Sequence, residues 1–241
     1  MNLSRLRTVL GAVLALLVLV VPTACGGSSA PGERIITLTL IRNAESLANE
    51  EGVIETAPPG PPLSPAGQQQ AESLANRLKG NAYDGIYTSQ LLRSEQSAAP
   101  LARALGGQAT VLPGLNEIPA GWFEGSDEEV SAATYRMPMR EWLRSNREFT
   151  IPGSVNGGQF NGQFSGAIQK IYEGGDNKPV AFSSGYAIMM WILMNVRNPK
   201  DSLLDDHPLP NTGYVVVTGN PVNGWTLQDW NGITNFSPDT V

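Results

Sequence analysis

The sequence predicts an α/β fold, a single domain with a central, mostly parallel sheet flanked by helices on both faces. Two observations carry this. Short β-rich apolar runs alternate along the chain with longer segments of helical apolar spacing, the pattern of a sheet built through helical crossovers. The first run, Ile35 to Ile41 (IITLTLI), is aliphatic or β-branched throughout, as a strand buried on both faces requires. The chain shows no internal repeat and no sign of a second domain.

Each element has a local reason. A loop with Pro58, Pro59, Gly60, Pro61 and Pro62 follows the first strand. Ser64-Pro65 then opens a helix, with Ser as N-cap and Pro at the first helical position. Ala71, Leu74, Ala75 and Leu78 supply its apolar stripe, and Gly80 stops it. Gly85 to Thr88 reads as a short strand, Leu91 to Leu105 as a helix interrupted at Pro100, and Gln108 to Leu112 as another strand. A long helix is predicted between Asp127 and Arg147, with a break near Pro138. Residues 148–164, rich in Gly, Asn and Gln, read as a mobile loop, and Ser165 to Glu173 as a helix. Val180 to Ser183 is a strand, Ala187 to Val196 a helix, Tyr214 to Thr218 a strand and Trp225 to Trp230 a final one.

Hydrophobic residues make up 41% and charged residues 16% of the 241, which suits a packed core and excludes wholesale disorder. The formal net charge is −6. Arg5 and Arg7 are the only charges before Cys25, so removing that segment leaves 14 basic residues against 22 acidic ones, a net −8. Such a surface has no electrostatic footprint for nucleic acid. One cysteine excludes an internal disulfide, and one cysteine with one histidine argues against a metal site. No cofactor is expected.

The N-terminus reads as an export signal. Arg5 and Arg7 form a positive n-region, and Thr8 to Val21 is an uncharged, almost wholly apolar run. That run is too short for a comfortable membrane span and fits a signal h-region. Thr23 and Ala24 then precede Cys25, with Pro22 where an aliphatic residue is usual. The segment resembles a bacterial lipobox, whose cysteine is lipidated and becomes the first mature residue. The expectation is a signal peptide over residues 1–24, a flexible tether over 25–34 rich in Gly and Ser, and a folded domain over 35–241. Acylation of Cys25 would attach the protein to the bilayer at the outer face of the cytoplasmic membrane.

Five segments in order point to one family. They are TLTLIRNAESLAN (Thr37 to Asn49), PLSPAGQQQA (Pro62 to Ala71), YTSQLLRSEQSA (Tyr87 to Ala98), LNEIPAGWFEG (Leu115 to Gly125) and AFSSG (Ala181 to Gly185). LPNTGYVVV and GWTLQDWNG complete the series as closing strands. Together they resemble the histidine phosphatase, or phosphoglycerate mutase-like, superfamily from about residue 35 to the C-terminus. The family's Arg-His-Gly triplet is matched by Arg42, with Glu45, Ser46 and Asn49 following, but Asn43 stands at the histidine and Ala44 at the glycine. Arg93 matches the second phosphate-binding arginine and Glu117 the acid. Ser184, before Gly185, stands at the second histidine.

The resemblance implies a chemistry that these residues cannot complete. In the family a neutral imidazole attacks phosphorus, two arginines and the second histidine hold the transferring oxygens, and a carboxylic acid protonates the leaving group. The amide nitrogen of Asn43 has its lone pair delocalised into the carbonyl, and Ser184 offers a hydrogen bond without positive charge. The resemblance therefore implies an inactive phosphatase-like domain, with no functional catalytic residues at Asn43, Ser184 and Glu117. It also implies a retained cleft for a phosphorylated or other anionic small molecule, lined by Arg42, Asn43, Ser46, Asn49, Arg93, Glu117, Ser184 and Gly185.

Other readings of the same residues stand beside this one. Arg42 and Arg93 are structural if they pair with Glu45 and Glu95 or with other acids, Glu117 among them. A slow phosphatase or other hydrolase remains open through water activated by Glu117. A scaffold with an inert pocket follows if Tyr186 or an Arg-Glu pair plugs the cleft. His207, flanked by Asp205, Asp206 and Pro208, reads as a solvated loop histidine rather than a displaced nucleophile. Trp122, Phe123, Trp191, Trp225 and Trp230 read as core or pocket-wall aromatics.

Overall fold

The structure, a computed structural model, describes residues 34–236. The signal segment, Cys25 and nearly all of the tether lie outside the described residues. So does the C-terminal end of the expected domain. Six strands form one sheet in the order β3-β2-β4-β1-β5-β6. They are β1 (Ile36–Arg42), β2 (Gly85–Thr88), β3 (Thr110–Val111), β4 (Pro179–Ser183), β5 (Tyr214–Asn220) and β6 (Gly224–Trp230). β1, β2, β3 and β4 are mutually parallel, and β5 pairs antiparallel with both β1 and β6. The α/β, mostly parallel sheet expected from the sequence is therefore observed.

Alternation along β1 and β4 divides the core between the two faces. Leu38, Leu40 and Ala181 pack with helices α4 (Glu128–Leu143), α5 (Gly157–Glu173) and α6 (Gly185–Asn195). Ile41, Val180 and Phe182 pack with α2 (Pro65–Leu78) and α3 (Leu92–Ala104) on the other side. Strands buried on both faces need apolar or β-branched residues at successive positions, and in the first run even the intervening Thr39 is buried. α1 (Leu47–Glu51) and α7 (Leu203–Asp206) are short helices absent from the sequence reading. Their four or five residues hold too little pattern to register.

The N-terminus of α2 matches its sequence signal. Ser64 Oγ accepts from Gly67 N at 3.0 Å and donates to Glu45 Oε1 at 2.6 Å. The start of α2 is thereby fastened to the loop after β1. A Cβ at Gly67 would stand 1.9 Å from Glu45 O, so only glycine permits this approach. Ser64→Ala is expected to cost about 1 kcal/mol by removing the cap. Chemical denaturation should show a lower midpoint with an unchanged slope.

Four expectations need correction. α3 runs through Pro100 and α4 through Pro138 without a break. In both, buried residues on each side of the proline hold the helix together: Ala98 and Leu101 in α3, Tyr135, Met139 and Trp142 in α4. The supposed mobile loop is helical from Gly157 onward. Asn156 and Gln159 form a capping box there, and Phe160, Phe164, Ile168 and Ile171 give the buried stripe. Gly157 lies against Trp142, where a Cβ would meet the indole at 2.6 Å, so this glycine marks close packing rather than a loop. Finally, Trp122 is 80% exposed, whereas Trp191, Trp225 and Trp230 are buried as expected.

Candidate functional site

A cleft of about 290 Å³ opens at the C-terminal ends of β1 and β4. Open parallel sheets place ligand crevices at this end of adjacent strands. Every residue expected to line a ligand site does line it: Arg42, Asn43, Ser46, Asn49, Arg93, Glu117, Ser184 and Gly185.

Arg42 ends β1, and its Nη1 donates to Leu209 O at 2.5 Å. Its side chain crosses Gly185, where a Cβ would stand 2.9 Å from Arg42 Cδ. Gly185 is thus required by the path of the arginine. Arg93 lies in the first turn of α3, only 5% exposed. Its Nη1 donates to Glu55 O at 3.0 Å and its Nη2 to Ser184 Oγ at 3.2 Å. Among the described residues neither Arg42 nor Arg93 takes part in an ion pair. The alternative pairing with Glu45 and Glu95 is therefore not formed, and Glu45 is bound to Ser64 instead.

Asn43 and Ser184 are both buried. The Asn43 backbone N–H donates to Ser183 O at 2.9 Å, joining the ends of β1 and β4, and its Nδ2 donates to Ala44 O at 2.8 Å. Ser184 occupies the N-cap position of α6, yet its hydroxyl makes no cap and serves Arg93. Ser46 and Asn49 face the cleft, but their side chains form the capping box of α1. Their polar atoms hold the wall in place before they can serve any ligand.

Glu117 sits at the start of α6. Its Oε1 accepts from Ile118 N at 2.8 Å and from Ala187 N at 3.0 Å. Burial pushes its carboxyl pKa up, against the opposing pull of the Ile118 N–H, Arg93, Arg42 and the Ala187 N–H. Burial also lowers the pKa of Arg42 and Arg93, with Glu117 the largest opposing influence on each. A carboxyl group at a helix N-terminus beside two arginines marks a positive region suited to an anion.

The opposite wall comes from α4. Glu128, Tyr135 and Arg136 line the cleft, and the sequence reading had assigned none of them to it. Arg136 Nη2 pairs with Glu128 Oε1, and the Arg136 guanidinium lies over the Tyr186 ring at 4.3 Å from its centroid. Glu128 and Arg136 stand about two helical turns apart, a spacing that places both on one side of α4. Tyr186 narrows the cleft without closing it. No histidine lines the cleft, and His207 is exposed in its loop.

Comparison with known proteins agrees with this geometry. The sequence matches the histidine phosphatase superfamily (branch 1) over residues 38–233. The PE-PGRS family protein PE_PGRS11 of Mycobacterium tuberculosis is 44% identical over 217 residues, covering 82% of this chain but only 37% of that protein. The chain thus spans little more than a third of that relative's length. Among solved structures, mycobacterial glucosyl-3-phosphoglycerate phosphatase superposes with a TM-score of 0.68 at 18% identity, covering 83% of this chain and 100% of the other. A histidine-to-alanine mutant of phosphoserine phosphatase from Entamoeba histolytica, in complex with phosphoserine, superposes at 0.62 with 26% identity, covering 81% and 96%. The family match takes in the whole sheet apart from the first two residues of β1, and on that extent the chain belongs to the histidine phosphatase superfamily, branch 1.

Proposed function

We propose that this protein is an exported, lipid-anchored member of the superfamily whose domain binds a phosphorylated or otherwise anionic small molecule without turning it over. The observation that carries the reading is the convergence of Arg42, Arg93 and the start of α6 on one open cleft, and the family resemblance assigns the two histidine positions to Asn43 and Ser184 in its lining. Both arginines keep guanidinium donors beyond those spent on Leu209 O, Glu55 O and Ser184 Oγ. They can therefore make charge-assisted contacts to a phosphoryl group. The phosphoserine complex of the histidine-to-alanine relative supports the same division, in which losing a histidine leaves binding in place.

The cleft is not plugged, which favours a ligand site over an inert scaffold. The Arg136–Glu128 pair and Tyr186 form a wall, and about 290 Å³ stays free beside them. The binding test is thermal: the melting temperature is expected to rise with phosphate beyond the effect of chloride at matched ionic strength. The anchor is tested separately. The full-length protein expressed in a bacterial host should incorporate a fatty-acid probe and partition into detergent, and Cys25→Ala should lose the label. Wild-type labelling of Cys25→Ala would remove the lipoprotein from the proposal and leave the cleft untouched.

A further inference from the structure

The wall facing the two arginines carries information about the rest of the ligand. We propose that Glu128 and Arg136 select phosphomonoesters whose non-phosphoryl part is neutral and bears hydroxyl groups, and that they exclude ligands with a second negative charge. This rests on the reading of Arg42 and Arg93 as a phosphoryl site and extends it to the leaving portion.

Both side chains line the same cleft as Arg42 and Arg93. Glu128 is held there by the backbone. Its N–H donates to Gly52 O at 2.7 Å, Val53 bridges to Asp127, and Ile54 N donates to Ser126 O at 2.9 Å. These contacts tie the start of α4 to the segment after α1, so the carboxylate is carried on a fixed rim. Arg136 rests on the Tyr186 ring, and its Nη2 is committed to Glu128. Its Nε is buried and makes no hydrogen bond among the described residues. The guanidinium N–H groups not committed to Glu128 remain as donors next to that carboxylate on the cleft wall. The pair thus presents a donor and an acceptor side by side, which suits a hydroxyl group, since a hydroxyl both donates and accepts.

Charge decides against a second anion. Three arginines line the cleft, Arg42, Arg93 and Arg136. Glu128 offsets one of them, and Glu117 stands at the start of α6 between Arg42 and Arg93. Glu55, exposed at the rim, adds another acid. The phosphoryl group takes up the positive charge of Arg42 and Arg93, which enter no ion pair among the described residues. A carboxylate on the same ligand would then face Glu128 and Glu55 with no free cation, because Arg136 is already paired. Like charges brought together in a partly desolvated site are disfavoured.

Glycerol 3-phosphate and 3-phosphoglycerate make a matched pair for the test. They share the phosphoryl group and the carbon chain, and differ in a terminal CH₂OH against a carboxylate. With inorganic phosphate as the third ligand, binding is measured by calorimetry and by melting-temperature shift on wild type, Glu128→Gln and Arg136→Gln. Wild type should bind glycerol 3-phosphate about tenfold more tightly than 3-phosphoglycerate, and more tightly than phosphate. Glu128→Gln should close the gap by raising 3-phosphoglycerate affinity. Arg136→Gln, which leaves Glu128 unpaired, should weaken 3-phosphoglycerate by a larger factor than it weakens phosphate. If wild type binds phosphate but takes 3-phosphoglycerate as well as or better than glycerol 3-phosphate, the selection is overturned and the phosphoryl site stands. If none of the three binds, both fall together.

Discussion

Purified protein is expected to release no p-nitrophenol from p-nitrophenyl phosphate above the buffer rate, and to form no phosphoenzyme. The superfamily reaction needs a neutral imidazole to attack phosphorus. At the first position Asn43 offers an amide whose nitrogen has no free lone pair, and that nitrogen already donates to Ala44 O. At the second, Ser184 accepts a hydrogen bond from Arg93 and carries no charge to offset the transferring oxygens. Removing a covalent nucleophile from an enzyme that depends on one costs on the order of a million-fold, about 8 kcal/mol of barrier. On the proposed reading, in which Asn43 and Ser184 stand at the two histidine positions, the second stabilising group is gone as well. A rate near one per second that survives purification and disappears in Arg42→Ala would establish an enzyme at this cleft. If Glu117→Gln alone abolished such a rate, water activated by that carboxylate would be the mechanism.

How far the site could be read from the sequence depended on where each residue sits in the chain. Arg42, Asn43, Arg93, Glu117 and Ser184 lie within the ordered motifs, so the family resemblance assigned them to one cleft, and all five line it. Glu128 and Arg136 escaped because they belong to the long helix after the loop bearing Glu117, where the five motifs give no register. Their neighbourhood read as an ordinary helix start, and Asp127 does cap it, accepting from Val130 N at 3.0 Å. The helix from Gly157 was misread for a related reason. Its glycines, asparagines and glutamines look like loop composition, and only the packing of Gly157 on Trp142 and the Phe160–Phe164 stripe explains them. Propensity is a weak guide where close tertiary contact sets the residue.

Loss of phosphate-dependent stabilisation is the expected result for the double variant Arg42→Ala/Arg93→Ala. An anion that binds only the folded protein stabilises it by mass action, by about 2.7 kcal/mol at a hundred times its dissociation constant. For a domain of this size that corresponds to roughly 2–4 °C per kcal/mol, so the wild-type shift is readily measured. The double variant starts from a lower baseline, because Glu55 O and Ser184 Oγ lose their donor, and its response is judged against that baseline. Glu117 gives the same experiment a pH axis. Its folded pKa is raised by burial, so ionising it costs stability in the fold. The contribution of the protonated carboxyl is fully present below the unfolded value of about 4.3 and is lost as pH rises through the higher folded value. Sulfate should therefore stabilise wild type more below the pH at which Glu117 ionises than above it, because the competing carboxyl beside the arginines is then neutral. Glu117→Gln should flatten that dependence and bind sulfate across it as wild type does with the carboxyl protonated. A sulfate response that is equal in wild type and the double variant at every pH would make the arginines structural and return the cleft to the scaffold reading.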